Sequence, residues 1–207
     1  QPIAEAGFVI AAAGARADGA VVVDHLRFDG APDLHLRRPA ETGDFWRQAW
    51  VNGVSFFSKR FPPSFRISQD RGEGIIIHGT RQWTDYRVAA DVMIHLGREA
   101  GVAVRVQGLR RYYAALLSRD GMLRLVRQRD EERIVLAETA FAWSLEHSYD
   151  FEVAVQGYRI NCRIGDVSLE ARDGSAEALR DGGIGLLVHE GALSSNDIRV
   201  TAVRPGS

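Results

Sequence analysis

The sequence predicts an all-β domain folded as a two-sheet antiparallel β-sandwich. Three observations carry this expectation: apolar residues recur at alternate positions in short runs, Gly, Asp and Asn punctuate those runs at intervals of about ten residues, and no stretch sustains helical spacing. A chain with so many amphipathic strands buries its apolar faces and limits open edges most economically by packing two sheets face to face.

Along the chain, residues 8–13 and 21–28 read as apolar strands, followed by the turn-rich Asp29-Gly30-Ala31-Pro32-Asp33. They are either the first strands of the sandwich or the end of a preceding β domain, so residues 1–40 are set apart as N-terminal strands and linker, and residues 41–207 as the sandwich. Residues 45–50 are ambiguous. The tract Phe61-Pro62-Pro63-Ser64-Phe65 is a stiff turn that cannot sit mid-sheet, because proline donates nothing to a ladder. A strand over 75–78 follows, and then the clearest alternation, over 85–95: Tyr86, Val88, Ala90, Val92 and Ile94 face the core while Arg87, Asp91 and His95 face away. In the strand over 101–107, Val102, Val104 and Val106 point inward and Arg105 and Gln107 outward. The short turn Gly108-Leu109-Arg110 joins it to a strand over 111–118 as a hairpin. Strands over 122–128, 133–138, 149–155, 158–164 and 167–171 continue an antiparallel meander, residues 176–180 form at most one helical turn, and strands over 184–189 and 198–203 close the fold.

Composition narrows the function classes. Hydrophobic residues make up 45% and charged residues 26% of the 207, the balance of a folded globular chain rather than a disordered one. The 26 basic and 27 acidic residues leave a net charge of -1, so no global field recruits nucleic acid, and no nucleic-acid partner is expected. No stretch reaches the roughly 18 apolar residues of a membrane span, and no membrane partner is expected. The single Cys162 excludes an internal disulfide, which fits a reducing compartment such as the cytoplasm. The opening residues lack the basic start of a targeting signal, and a chain without an initiator Met reads as a piece of a longer protein.

The segments Trp83-Thr84-Asp85-Tyr86-Arg87-Val88, then Gly101-Val102-Ala103-Val104-Arg105-Val106-Gln107 with Arg111-Tyr112-Tyr113, then 149–157, and finally Gly183-Ile184-Gly185-Leu186 resemble, in that order, the concanavalin A-like (laminin G and glucanase-like) jelly roll. The likeness runs over residues 45–203 and is strongest to the accessory sandwich domains near the C-terminus of bacterial ADP-ribosylglycohydrolase-like proteins; the 3-keto-disaccharide hydrolase domain and many carbohydrate-binding modules are similar sandwiches. The resemblance implies a non-catalytic accessory module of a larger bacterial hydrolase, with a carbohydrate or sugar-like ligand on the concave face of one sheet. The all-helical catalytic domain of true ADP-ribosylglycohydrolases has no counterpart here, so that activity is not carried over.

A sugar ring offers C–H groups to an apolar or aromatic face and hydroxyls to planar polar side chains. By alternation, Arg87, Asp91, Arg105, Gln107, Arg111 and Tyr113 project from the non-core faces of three neighbouring strands, and Trp83 at the rim and His78 complete the candidate ligand set. The competing reading is that Asp91 and Arg105 pair across strands in a polar network, and that Trp46, Trp50, Trp83 and Trp143 pack the core and its corners. A third reading is a sugar-processing hydrolase using Asp91 and His78, and a fourth is a purely structural role in domain packing. Related sandwiches often carry a structural Ca²⁺, and Asp24, Asp29 and Asp197 are the carboxylates placed to hold one between an early strand and the last.

Other chemistry is unsupported. The paired carboxylates of a jelly-roll glucanase, about 5 Å apart on one strand, have no E-x-D-x-x-E or E-x-D-x-E run here; Asp130-Glu131-Glu132 falls in a turn, and Glu170 and Asp173 end a strand. There is no G-x-S-x-G elbow, and Cys162 sits in an alternating strand as a packed thiol. The histidines, His25, His35, His78, His95, His147 and His189, show no zinc spacing. The glycines of 72–74 and 182–185 precede strands rather than helices, so they offer no phosphate cradle.

Overall fold

The computed structural model describes residues 31–39 and 43–203, with Ala20 and Val22. The strands expected over 8–13 and 21–28, Val22 apart, and the candidate ligands Asp24 and Asp29 lie outside the described residues. Among the described residues there are fourteen strands and one short 3-10 helix, Phe45–Ala49: β1 Asp33–Leu36, β2 Val51–Gly53, β3 Phe56–Ser58, β4 Phe65–His78, β5 Tyr86–Leu96, β6 Glu99–Gly108, β7 Arg111–Ser118, β8 Met122–Arg129, β9 Glu132–Ala140, β10 Ser148–Gln156, β11 Arg159–Ile164, β12 Val167–Arg172, β13 Gly183–Ser195 and β14 Ile198–Ala202. All pairings are antiparallel.

One sheet runs β12-β11-β10-β5 and continues through β14 to β1; the other runs β4-β13-β6-β7-β8-β9, with β2 on the far side of β4. The long strands β4 and β13 belong to both. The first part of β13 pairs with β6, its last part with β5, and the change of partner coincides with a register shift between His189 and Gly191 and a positive φ of 47° at Glu190. A bulge turns a strand in this way. Gly191 is needed there because any Cβ would strike the backbone of Leu96 and Gly97. The matching bend in β4 falls in its polar stretch Ser68-Gln69-Asp70-Arg71-Gly72-Glu73, which is why alternation reveals only 75–78 of this 14-residue strand.

The core lies between the sheets. Tyr86, Val88, Ala90, Val92 and Ile94 are buried as expected, against Phe151, Val153 and Val155 of β10, Ile160, Cys162 and Ile164 of β11, and Val102, Val104, Leu117, Leu123 and Leu186 from the facing sheet. Trp46 and Trp50 hold the 3-10 segment onto this core, Trp46 edge-on to Phe57 at 5.2 Å and Trp50 tilted on Phe65 at 5.2 Å. Residues 176–177 form a turn rather than a helical turn, and β1, β2 and β3 are short edge strands.

Burial pushes the Cys162 thiol up to about 12. Since the thiolate is the reactive form, Cys162 in the native chain at pH 8 is expected to resist a thiol reagent and to react at once in denaturant; rapid native-state labelling would show that β11 opens readily.

Candidate functional site

The residues expected as an open ligand patch divide among different surroundings. Arg105 has φ +48° and sits at a register shift between β6 and β7. This bulge interrupts the alternation that placed Arg105 outside and Val106 inside. Val106 joins a second apolar cluster on the outer side of the sheet, while the Arg105 side chain, 2% exposed, turns into the end of the sandwich. Its guanidinium donates to the carbonyls of Thr84 (3.1 Å), Gly157 (2.7 Å) and Leu179 (2.9 Å) and to Asp85 (3.1 Å). Its backbone N–H donates to the Tyr86 hydroxyl at 2.6 Å, which lies within reach of the carbonyls of Gly182 and Gly183. Arg105 is thus a buried clamp, and its carboxylate partner is Asp85 rather than Asp91.

Tyr113 is likewise inside. Its hydroxyl donates to Asp173 at 2.7 Å and accepts from the Leu179 N–H at 2.9 Å, and Asp173 also receives Arg127 at 3.0 Å. Gln107 is tied to Asp181. Trp83 is buried between His78 and Tyr86 rather than standing at an open rim, and the His78 Nδ1 lies 2.7 Å from the Ala49 carbonyl, its pKa lowered by burial. Asp91 accepts the backbone N–H groups of Asn196 and Asp197 and the side chains of Ser195 and Asn196, fixing the turn into β14. Arg87 is exposed on the outer face of the β5 sheet. The hydrogen-bond partners of Asp91 and His78 have no residue in common, so the pair considered for hydrolysis does not form a unit. Asp197 contacts His35, Arg37 and Arg199, three basic groups where a Ca²⁺ requires oxygen donors. Among the described residues, no group of three or more His, Cys, Asp or Glu is placed to hold a metal ion.

A different set of side chains converges on the outer face of the other sheet. Arg133 of β9 reaches Glu73 of β4 at 3.3 Å, although five strand spacings separate them. In a flat sheet that separation is about 24 Å, beyond the combined reach of the two side chains, so the sheet curls and this face is concave. The Tyr112 hydroxyl of β7 donates to Glu73 as well. Beneath this bridge lie Ile75, Ala103, Ala114, Leu116, Val126 and Leu187, all buried. The middle of the trough is therefore filled by the protein's own side chains. Burial raises the Glu73 carboxyl above its ordinary range, and Arg133 partly offsets that.

Toward the β5–β6 and β7–β8 turns the trough opens into a cavity of about 680 Å³. Arg124 donates to Glu138 at 2.8 Å and to Asp120 at 2.6 Å, Arg133 donates to Glu99 at 2.8 Å, and Ser118 donates to Glu99 at 3.0 Å. The hydrogen bonds that Arg124 donates to Asp120 and Glu138 raise its pKa further, so it is fully charged. Val126 and Val135 supply the apolar part of the lining, and His189 contributes an imidazole. The wall thus joins planar donors, acceptors and a small apolar surface, the mixture that hydroxyl-rich ligands require. A second cavity, about 770 Å³, lies on the outer face of the β5 sheet near Tyr149, Asp150 and Asp197. Asp91 and Asp197 of its lining are spent on the backbone and on basic side chains, whereas the trough gathers charged groups from β6, β8 and β9 onto one spot.

Comparison with solved structures finds the same architecture. The carbohydrate binding module CBM66 from Bacillus subtilis superposes with a TM-score of 0.63 at 16% identity, over 74% of this chain and 96% of that one. A Bacillus subtilis protein of unknown function with a galectin-like fold gives 0.61 at 15%, over 84% and 96%, and a legume lectin-like domain from Entamoeba histolytica gives 0.58 at 9%, over 82% and 97%. No protein-family model matches the chain. Comparison with curated proteins gives no match either.

Proposed function

Starting from a concanavalin A-like jelly-roll fold, we propose that this chain is a non-catalytic module that binds a carbohydrate at the open end of its trough and serves as an accessory to a larger hydrolase. The observation that carries the reading is the convergence of Arg124, Arg133, Glu99 and Glu138 in one open cavity. The volume and chemistry of the cavity suit one or a few sugar units, with hydroxyls bonded to the guanidinium forks and carboxylates and C–H groups laid on the exposed Val135. Because the Glu73–Tyr112–Arg133 bridge fills the middle, the ligand enters from the turn end. Each carboxylate is already engaged by an arginine, an arrangement for accepting hydroxyl hydrogen bonds rather than for exchanging protons with a glycosidic oxygen. The carbohydrate-binding module among the structural neighbours supports the ligand class.

Glycan-array screening followed by calorimetry with neutral and acidic oligosaccharides tests this. Arg124→Ala is expected to weaken a saturable hit by about tenfold or more, the worth of one charge-assisted hydrogen bond, with the thermal midpoint little changed. A folded protein without any hit, or a hit indifferent to Arg124→Ala, would speak against the trough.

A further inference from the structure

Next to the trough, across the β7–β8 turn, lies a recess of about 280 Å³ lined by Leu96, Gly97, Arg119, Gly121, Ala142, Trp143 and Leu145. Leu96 is 58% and Leu145 47% exposed, so two large apolar side chains stand half out in water at its wall. Trp143 is fixed there by its Nε1, which donates to the Ser118 carbonyl at 2.7 Å, while the Ser118 hydroxyl binds Glu99 of the trough. Arg119 lines both spaces. The other arginines of the trough, Arg98, Arg124 and Arg133, pair with carboxylates; among the described residues Arg119 pairs with none. An exposed apolar recess, an unmatched cation and a polar cavity thus follow one another along a single surface.

Resting on the reading of the trough as a sugar site, we propose that the ligand is an acidic glycoside, its anionic group held by Arg119 and an apolar substituent on the sugar seated in the Leu96–Trp143–Leu145 recess. A cavity of about 150 Å³ suffices for benzene, so the recess admits one substituted ring. Burial of that ring against Leu96, Leu145 and the Trp143 indole removes apolar surface from water on both sides, and the negative charge supplies Arg119 with the partner it lacks.

Calorimetric titration of the full chain with methyl β-D-glucuronide, 4-nitrophenyl β-D-glucuronide and 4-nitrophenyl β-D-glucoside separates the two contributions. The aryl glucuronide is expected to bind about tenfold more tightly than either of the others. Arg119→Ala should remove its advantage over the aryl glucoside, and Leu145→Ser its advantage over the methyl glucuronide; both side chains are at the surface, so folding is retained. Equal affinities, advantages that survive the substitutions, or no binding of either glucuronide would each overturn the proposal. The last result beside a neutral-sugar hit lost in Arg124→Ala would leave the trough as a sugar site and remove only the acidic, apolar-substituted ligand.

Discussion

Arg105→Ala is expected to lower the free energy of unfolding by about 3–5 kcal/mol, the range for removing one partner of a buried charge network. The guanidinium joins three parts of the chain: Thr84 and Asp85 before β5, Gly157 between β10 and β11, and Leu179 in the segment leading to β13. Alanine leaves three carbonyls in a closed end of the sandwich without their donor, each a desolvated acceptor. Asp85 keeps only its bond from the Gly157 N–H, at 2.9 Å. Arg105→Lys should recover little of the loss, because one ammonium cannot reproduce a fork that donates in four directions. Urea titrations of the three proteins check this: the midpoints should fall with an unchanged m-value, and an Arg105→Ala protein as stable as the parent would show the clamp to be dispensable. Sugar binding, measured on whatever fraction stays folded, should persist, since the clamp does not line the trough.

The same residue shows where a sequence stops being legible. Alternation places β5 and its core face correctly because that strand is regular from Tyr86 to Ile94. It fails one strand later, since β6 carries one residue more than β13 at Arg105, with Val104 facing Ile184 and Val106 facing Gly183, and Val106 is turned to the outer side. A signal for the second apolar layer was present: Tyr112-Tyr113-Ala114-Ala115-Leu116-Leu117 and Ile75-Ile76-Ile77 are unbroken apolar runs, the mark of strands covered on both faces. That pattern places Tyr112 on the trough side and Tyr113 in the core, and the trough floor could have been anticipated from it. Arg124 also alternates with the core residues Leu123 and Leu125 in its own strand. What no local pattern contains is the meeting of Arg124 with Glu99, or of Arg133 with Glu73, because both depend on how far the sheet curls between strands that are not neighbours.

Asp173→Asn is expected to cost about 2–3 kcal/mol at pH 7 and to flatten the acid limb of the stability profile. Asp173 and Arg127 are almost fully enclosed, at 4% and 5% side-chain exposure, and the carboxylate also holds Tyr113 and Ser175. Burial alone would raise its pKa, but the hydrogen bonds from Ser175, Tyr113 and Arg127 outweigh burial and bring it down to about 2. A carboxyl whose folded pKa lies below its unfolded value of 3.8 stabilises the native state fully above that value. It loses that contribution as pH falls through the folded pKa. The difference corresponds to about 2 kcal/mol, lost between about pH 4 and pH 2. Asparagine keeps the shape and can still accept from Arg127, whose second carboxylate, Glu177 at 3.3 Å, limits the penalty. The neutral amide does not titrate, so the variant should begin less stable and decline less steeply over that interval. Chemical denaturation at pH 7, 4, 3 and 2 decides the matter: parallel profiles for parent and variant would mean that Asp173 is not the group whose protonation loosens the joint between β7, β8 and the segment leading to β13.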